Sequence, residues 1–221
     1  MGHEWDFAFL VQQQGFVLKG VTGTLRLAGT CVAAGMAIGL VFAAARLSPS
    51  APLRLLGTGY VEFFRNIPAL VLIFWCYFTL PILTGMQPNA FAAAATAVSL
   101  YAGAYMTEIF RSGIQAVERG QWEAARAMGF GYLGQMRHVV LPQALRNIMP
   151  PLTSQVMEVV KTTAVASTIA YGEVLYSAKL LSDQEFRPIE SYTAVGVFFI
   201  LLLALMSGAS NLLERGLRRR G

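Results

Sequence analysis

The chain has 221 residues, 55% of them hydrophobic and only 13% charged, with a mean hydropathy of +0.53. An ordinary soluble domain carries about 25% charged residues, so this composition excludes a soluble enzyme or a soluble binding module and indicates an integral membrane protein. The net charge of +5 does not build a nucleic-acid surface, because the basic residues fall in separate loops between apolar stretches.

Five stretches, near 20–45, 57–80, 90–112, 152–171 and 193–213, are long enough to cross a hydrocarbon core that needs about 20 apolar residues. Lipid offers no partner to open backbone groups, so the expected fold is all-α, a single transmembrane domain over 1–221 with five helices. Met1 to Leu18 has no basic start and no small-residue cleavage site, and carries Glu4 and Asp6. The first span is therefore expected to be its own insertion signal. It holds Arg26 as its single charge. Cys31 in this span and Cys76 in the next are read as small apolar packing residues.

The loop from Arg46 to Arg54 is broken by two prolines. The second span opens with Tyr60-Val-Glu-Phe-Phe-Arg-Asn-Ile-Pro68. Pro68 is expected to kink this helix. Glu62 and Arg65, three apart, are expected to pair on one face. Pro81 and Pro88 bracket an uncharged loop. The third span ends in Ala104-Tyr-Met-Thr-Glu-Ile-Phe-Arg-Ser-Gly-Ile114, where Glu108 and Arg111 should pair as the helix leaves the membrane.

A long loop, about 113–150, follows, and Pro150-Pro151 at its end suits the first turn of the fourth span. That span contains Met157-Glu-Val-Val-Lys-Thr-Thr-Ala-Val-Ala-Ser167. Glu158 and Lys161 are thereby three apart and roughly mid-membrane, with the hydroxyls of Thr162 and Thr163 beside them. Charges at that depth are costly and functional by default; the alternative is a buried, mutually neutralising pair that specifies packing. In the fifth span, Gly196 and Gly208 flank the run Phe198–Met206 and should permit close helix contact.

The charges also orient the chain. Eleven basic residues fall on one side, in the loop with Arg46 and Arg54, in the long loop with Arg111, Arg119, Arg126, Arg137 and Arg146, and in the tail with Arg215 and Arg218 to Arg220. Three, Lys19, Lys179 and Arg187, fall on the other, diluted by carboxylates. The positive-inside rule then places the N-terminus outside and the long loop and C-terminus in the cytoplasm. Arg218 to Arg220 read as a lipid-headgroup anchor.

Chemistry is largely excluded. The run Gly129-Phe-Gly-Tyr-Leu-Gly134 has phosphate-loop spacing, but Gln135 and Met136 stand where Lys and Ser or Thr would be needed. His3 and His138 lack a second metal ligand at useful spacing. No catalytic constellation is present, so an enzyme reading has no residues to stand on.

The long loop carries the most specific signal. Glu123-Ala-Ala-Arg-Ala-Met-Gly129 is followed, after nine residues, by Val139-Val-Leu-Pro142. This resembles the signature of ABC importer permeases, EAA, three residues, G, nine residues, I, one residue, LP, with Val139 in place of Ile. Tyr60–Pro68, Ala104–Ile114 and Arg119–Ala125 resemble further blocks of the polar amino acid branch of that family (histidine, glutamine and glutamate type). The resemblance covers nearly the whole chain from about residue 20. It implies a five-helix permease subunit of a bacterial inner-membrane importer, paired with a second permease copy or paralogue, two cytoplasmic ATPases and an extracytoplasmic amino-acid-binding protein. ATP and Mg²⁺ would be bound by the ATPase subunits, and this chain would hold no cofactor. Glu123, Ala124, Ala125, Gly129, Leu141 and Pro142 would form the ATPase-coupling helix–turn–helix. The substrate pathway would use Glu158, Lys161, Thr162, Thr163 and Tyr105, Lys161 meeting a carboxylate and Glu158 an ammonium. The run Val160–Ile169 looks like the glutamate/aspartate subgroup. Glu158 adds a negative charge that leaves glutamine or a basic amino acid open. An ATP-independent channel or carrier and a scaffold protein are the competing classes, and a co-purifying ATPase would support the importer alone.

Overall fold

The computed structural model describes residues 5–218, with side chains to residue 212, and among these residues every regular element is a helix. His3, Glu4, Arg219, Arg220 and the side chains of Arg215 and Arg218 lie outside the described part. In chain order the helices are α1 (Ala8–Gln12), α2 (Gln14–Leu47), α3 (Ala51–Arg65), α4 (Ala69–Phe74) and α5 (Leu80–Thr84), with a π-helical turn, Trp75–Thr79, joining the last two. Then come α6 (Ala90–Gln115), α7 (Arg119–Ala127) and α8 (Tyr132–Gln135), the last running through a second π turn, Met136–Val140, into α9 (Leu141–Thr162). A 3₁₀ segment, Thr163–Ile169, precedes α10 (Val174–Glu185) and α11 (Pro188–Arg218).

The core is the contact of α2 with α6. Leu27, Cys31, Ala97, Val98, Ala102 and Met106 are buried there together. Small residues bring the axes close. A Cβ on Gly113 would sit 2.2 Å from Ile148 Cγ1 of α9, and one on Gly23 would sit 2.1 Å from the Gly172 carbonyl oxygen. Cys31 and Cys76 are both free and buried, as apolar packing residues would be. The close contacts expected at Gly196 and Gly208 do not form within this chain, since both face open space.

Three helices, α2, α6 and α11, are each long and apolar enough to cross a membrane, and α3 with Ala69–Thr84 makes a fourth candidate bent by 100°. The expected span 57–80 is therefore not one helix but two segments, Ala51–Arg65 and Ala69–Thr84, that meet at 100°. The break falls at Asn66–Pro68, because proline disfavours helix at the residue before it and cannot donate to the turn behind. The expected span 152–171 is α9 plus the 3₁₀ segment, and Glu158 and Lys161 lower its apolar character. Pro150 and Pro151 do not start a helix: both lie inside α9, which continues through them. Pro81 likewise sits in the first turn of α5 rather than in the loop.

Arg26 and Arg46 on α2 are twenty residues apart, a rise of about 30 Å that matches one hydrocarbon thickness. They are sited by neighbours at the two ends of α6. The Arg26 guanidinium lies 4.6 Å from the Phe91 ring centroid in the first turn of α6, and Arg46 pairs with Glu108 near its other end. Beyond the Arg26 level, α10 caps the bundle. Glu173 is fully buried and accepts from the amides of Leu175 (2.9 Å) and Tyr176 (2.6 Å), closing the first turn of α10. Burial pushes the Glu173 carboxyl up to about 7, against the opposing pull of those two amides.

Candidate functional site

Two groups of residues stand apart from the packing, one at each of two levels of the bundle. The first is the helix–turn–helix between α7 and α9. Glu123 and Ala124 are exposed on α7 and Ala125 is buried beneath them. The turn closes in a Schellman arrangement: the Phe130 amide donates to the Ala125 carbonyl (3.1 Å) and the Gly129 amide to the Arg126 carbonyl (3.0 Å). Gly129 has φ +84°, a left-handed conformation that strains any side chain. A Cβ there would meet nothing within 4 Å, so the turn is open rather than packed. Pro142 does not begin a separate segment, since helix runs from Tyr132 through the π turn into α9. The start of α9 is tied back onto α7 by Gln143 Nε2, which donates to Gln121 Oε1 at 3.1 Å. Leu141 is 40% exposed, and Met128, Tyr132 and Leu133 are also exposed around the turn. The turn thus presents an exposed apolar tip of Met128, Tyr132 and Leu133, with α7 held to the start of α9.

The second group is level with the middle of α6. Lys161 Nζ and Glu158 Oε2 form an ion pair one turn apart on α9. Their side chains are 51% and 49% exposed, so the pair is open on the flank of this chain and not buried within it. Thr162 and Thr163 do not join it. Thr162 donates to the Glu158 carbonyl (2.8 Å) and Thr163 to the Val160 carbonyl (2.7 Å), and both are buried.

Tyr105 has other partners. Its hydroxyl lies 3.3 Å from that of Tyr101, one turn away on α6. The Arg65 guanidinium stacks 4.9 Å from its ring centroid. Arg65 at the end of α3 and the two tyrosines in the middle of α6 thus form a small group of their own. Sequence reasoning missed Tyr101 and misplaced Arg65. Glu62 does not hold Arg65; the Asn66 side chain turns to Glu62 instead, donating to its carbonyl (2.6 Å) and approaching its carboxylate (3.5 Å). A signal was available, since Tyr101, Tyr105 and Glu108 repeat at the four- and three-residue spacing of one helix face.

That face continues to Glu108, which pairs as expected with Arg111 and also takes Arg46 of α2. Arg111 Nε donates to Glu108 Oε2 at 3.2 Å, and the same guanidinium reaches Gln115. One carboxylate thus locks α2 to the end of α6 that leads into α7.

Comparison with known proteins places this arrangement. The sequence model of the family described as binding-protein-dependent transport system inner membrane component matches residues 35–219. The chain is 36% identical to the probable glutamine ABC transporter permease GlnM of Bacillus subtilis (strain 168), over 96% of this chain and 95% of that one. It is 32% identical to the glutamate/aspartate import permease GltJ of Escherichia coli (strain K12), over 100% and 98%. It is 31% identical to the arginine transport system permease ArtQ of Bacillus subtilis (strain 168), over 96% and 97%. Among solved structures, an amino acid ABC transporter crystallised with histidines superimposes with a TM-score of 0.91 at 31% identity, covering 96% of this chain and 99% of that one. Signature turn, helical fold and full-length relatives agree: this chain belongs to the family of binding-protein-dependent transport system inner membrane components, among the permease subunits of amino-acid ABC importers.

Proposed function

We propose that this permease carries an acidic amino acid, glutamate or aspartate, past Glu158, Lys161 and Tyr105. The carrying observation is an ion pair exposed at mid-bundle, where a charge without a function is a cost. An amino acid is itself a zwitterion. Its carboxylate would exchange for Glu158 on Lys161, and its ammonium for Lys161 on Glu158, so the resting pair keeps both charges satisfied until substrate arrives. The 32% identity to a glutamate/aspartate permease over the full chain is consistent with this substrate. Glutamine is the second reading, favoured by the 36% identity to a glutamine permease.

The coupling turn supplies the drive. Two ATPase subunits, which would bind ATP and Mg²⁺, grip Glu123 to Gly129 with Leu141 and Pro142 at the base. Their closure moves α7 and, through the Gln121–Gln143 tie, α9. Because α9 also carries Glu158 and Lys161, the same rod links the ATPase to the substrate site. A second permease, identical or paralogous, faces the open flank, and an extracytoplasmic binding protein delivers substrate.

The test is the double change Glu158→Gln with Lys161→Met, which removes both charges at nearly constant volume. Assembly with the ATPase should persist while amino-acid uptake is lost or changes selectivity. Unchanged uptake and selectivity in the assembled double mutant would make the pair structural only.

A further inference from the structure

We propose that an anionic phospholipid binds in the groove between the ends of α2 and α6 and the start of α8, with an acyl chain along the groove and its phosphodiester on Arg54. This site is independent of the mid-bundle pair described above.

The groove has a volume of about 780 Å³, within the range of a ligand site. Its walls are apolar: Leu40, Ala44 and Leu47 of α2, Phe110 and Ile114 of α6, and Met136 of the π turn. Along α2 it runs from Leu40 to Leu47, a rise of about 10 Å, or about a third of a hydrocarbon core. Arg46 stands one hydrocarbon thickness from Arg26, so the mouth of the groove at Ser48 and Pro49 lies at a membrane–water boundary. The Leu40 end then lies at acyl-chain depth, and Leu40 is exposed there.

The mouth gives the chemistry of the headgroup. Arg54 Nη1 donates to the carbonyls of Ser48 (3.1 Å) and Pro49 (2.6 Å), which fastens the guanidinium to the rim. Both bonds use one nitrogen, so Nε and Nη2 remain as a two-pronged edge that matches a phosphate. Among the described residues, no carboxylate lies within ion-pair distance of Arg54, and the first turn of α3 holds no acidic residue. Arg46 and Arg111 share the one carboxylate of Glu108. Three arginines and one carboxylate leave this end of the bundle with a group of net +2, which an anion complements. Leu53 and Leu55, on either side of Arg54, are exposed, a surround suited to an interface where the stem lies in lipid and the charge meets headgroups. A helix of a second permease would fill the groove but leave the Arg54 edge bare; an anionic phospholipid satisfies both. Tyr132 and Met136 close the groove on the side of the Gly129 turn, so an occupant there braces the helix–turn–helix against α2 and α6.

The test is native mass spectrometry of the purified, delipidated permease–ATPase complex titrated with phosphatidylglycerol or phosphatidylcholine, for wild type, Arg54→Gln, Arg54→Lys and Ala44→Phe. Thermal midpoint and co-purification of the ATPase report folding. Wild type should retain phosphatidylglycerol about tenfold more tightly than phosphatidylcholine, as a charge-assisted contact implies. Arg54→Gln should remove most of that preference and Arg54→Lys should keep part of it. Ala44→Phe, which fills the groove, should weaken both lipids alike. Glycerol 3-phosphate, a headgroup without chains, should displace neither. Equal retention of the two lipids by wild type, an unchanged preference in Arg54→Gln, or unchanged retention in Ala44→Phe overturns the lipid site. Displacement by glycerol 3-phosphate would make Arg54 a free-phosphate site, and loss of the second permease or of the ATPase from Ala44→Phe would make the groove a protein interface; either result also overturns it.

Discussion

Glu173 shows what one residue's environment does. Its carboxyl is raised from an ordinary 4.5 to about 7 by burial. The folded state therefore binds a proton more readily than the unfolded chain between those values, and stability declines as pH rises through that window, flattening above it. The thermal midpoint of the purified protein should fall between pH 5 and pH 8, and Glu173→Gln should flatten that dependence; an unchanged slope in the variant would remove Glu173 as its source. Packing at Gly113 is a second residue-scale case. Gly113→Ala puts a methyl 2.2 Å from Ile148 Cγ1 and should cost roughly 1–3 kcal/mol by overpacking, read as a lowered thermal midpoint. Which glycines pack was not legible in the sequence. Gly196 and Gly208 sit in an apolar helix just as Gly113 does, but a neighbouring helix approaches only the last.

Among the elements, the turn at Gly129, the break at Pro68 and the apolar helices α2, α6 and α11 were legible, because each follows from local backbone chemistry or hydropathy. The passage of α9 through Pro150 and Pro151 was not, because a proline pair by itself reads as a helix start. Spacing alone also could not say which i, i+3 charges pair. Glu108 and Arg111 do, whereas Arg65 leaves Glu62 for the Tyr105 ring across the helix boundary. The two ion-pair sites differ in burial, and this gives a prediction. Glu108→Gln strands two arginines at a partly buried junction and should lower the thermal midpoint by the equivalent of roughly 1–3 kcal/mol. Glu158→Gln, at a half-exposed pair, should cost less than about 1 kcal/mol. Equal shifts for the two would contradict this ranking.

For the whole molecule, the asymmetry of eleven basic residues against three predicts an N-terminus outside and the Gly129 turn in the cytoplasm. Cys31 and Cys76 are buried, so introduced cysteines can report sidedness. Glu185→Cys at the end of α10 should react with an impermeant thiol reagent in intact spheroplasts, and Gly120→Cys in α7 should not; the reverse pattern would invert the topology. The most direct test of the account is ATP-dependent amino-acid uptake by proteoliposomes containing the permease, its ATPase and the binding protein, with and without Gly129→Asp. At φ +84° this change strains the turn and adds a charge at the docking tip. Wild type should accumulate substrate only with ATP, while the variant should reach the membrane and fail to transport. Wild-type uptake by Gly129→Asp would contradict the assignment of this turn as the coupling element.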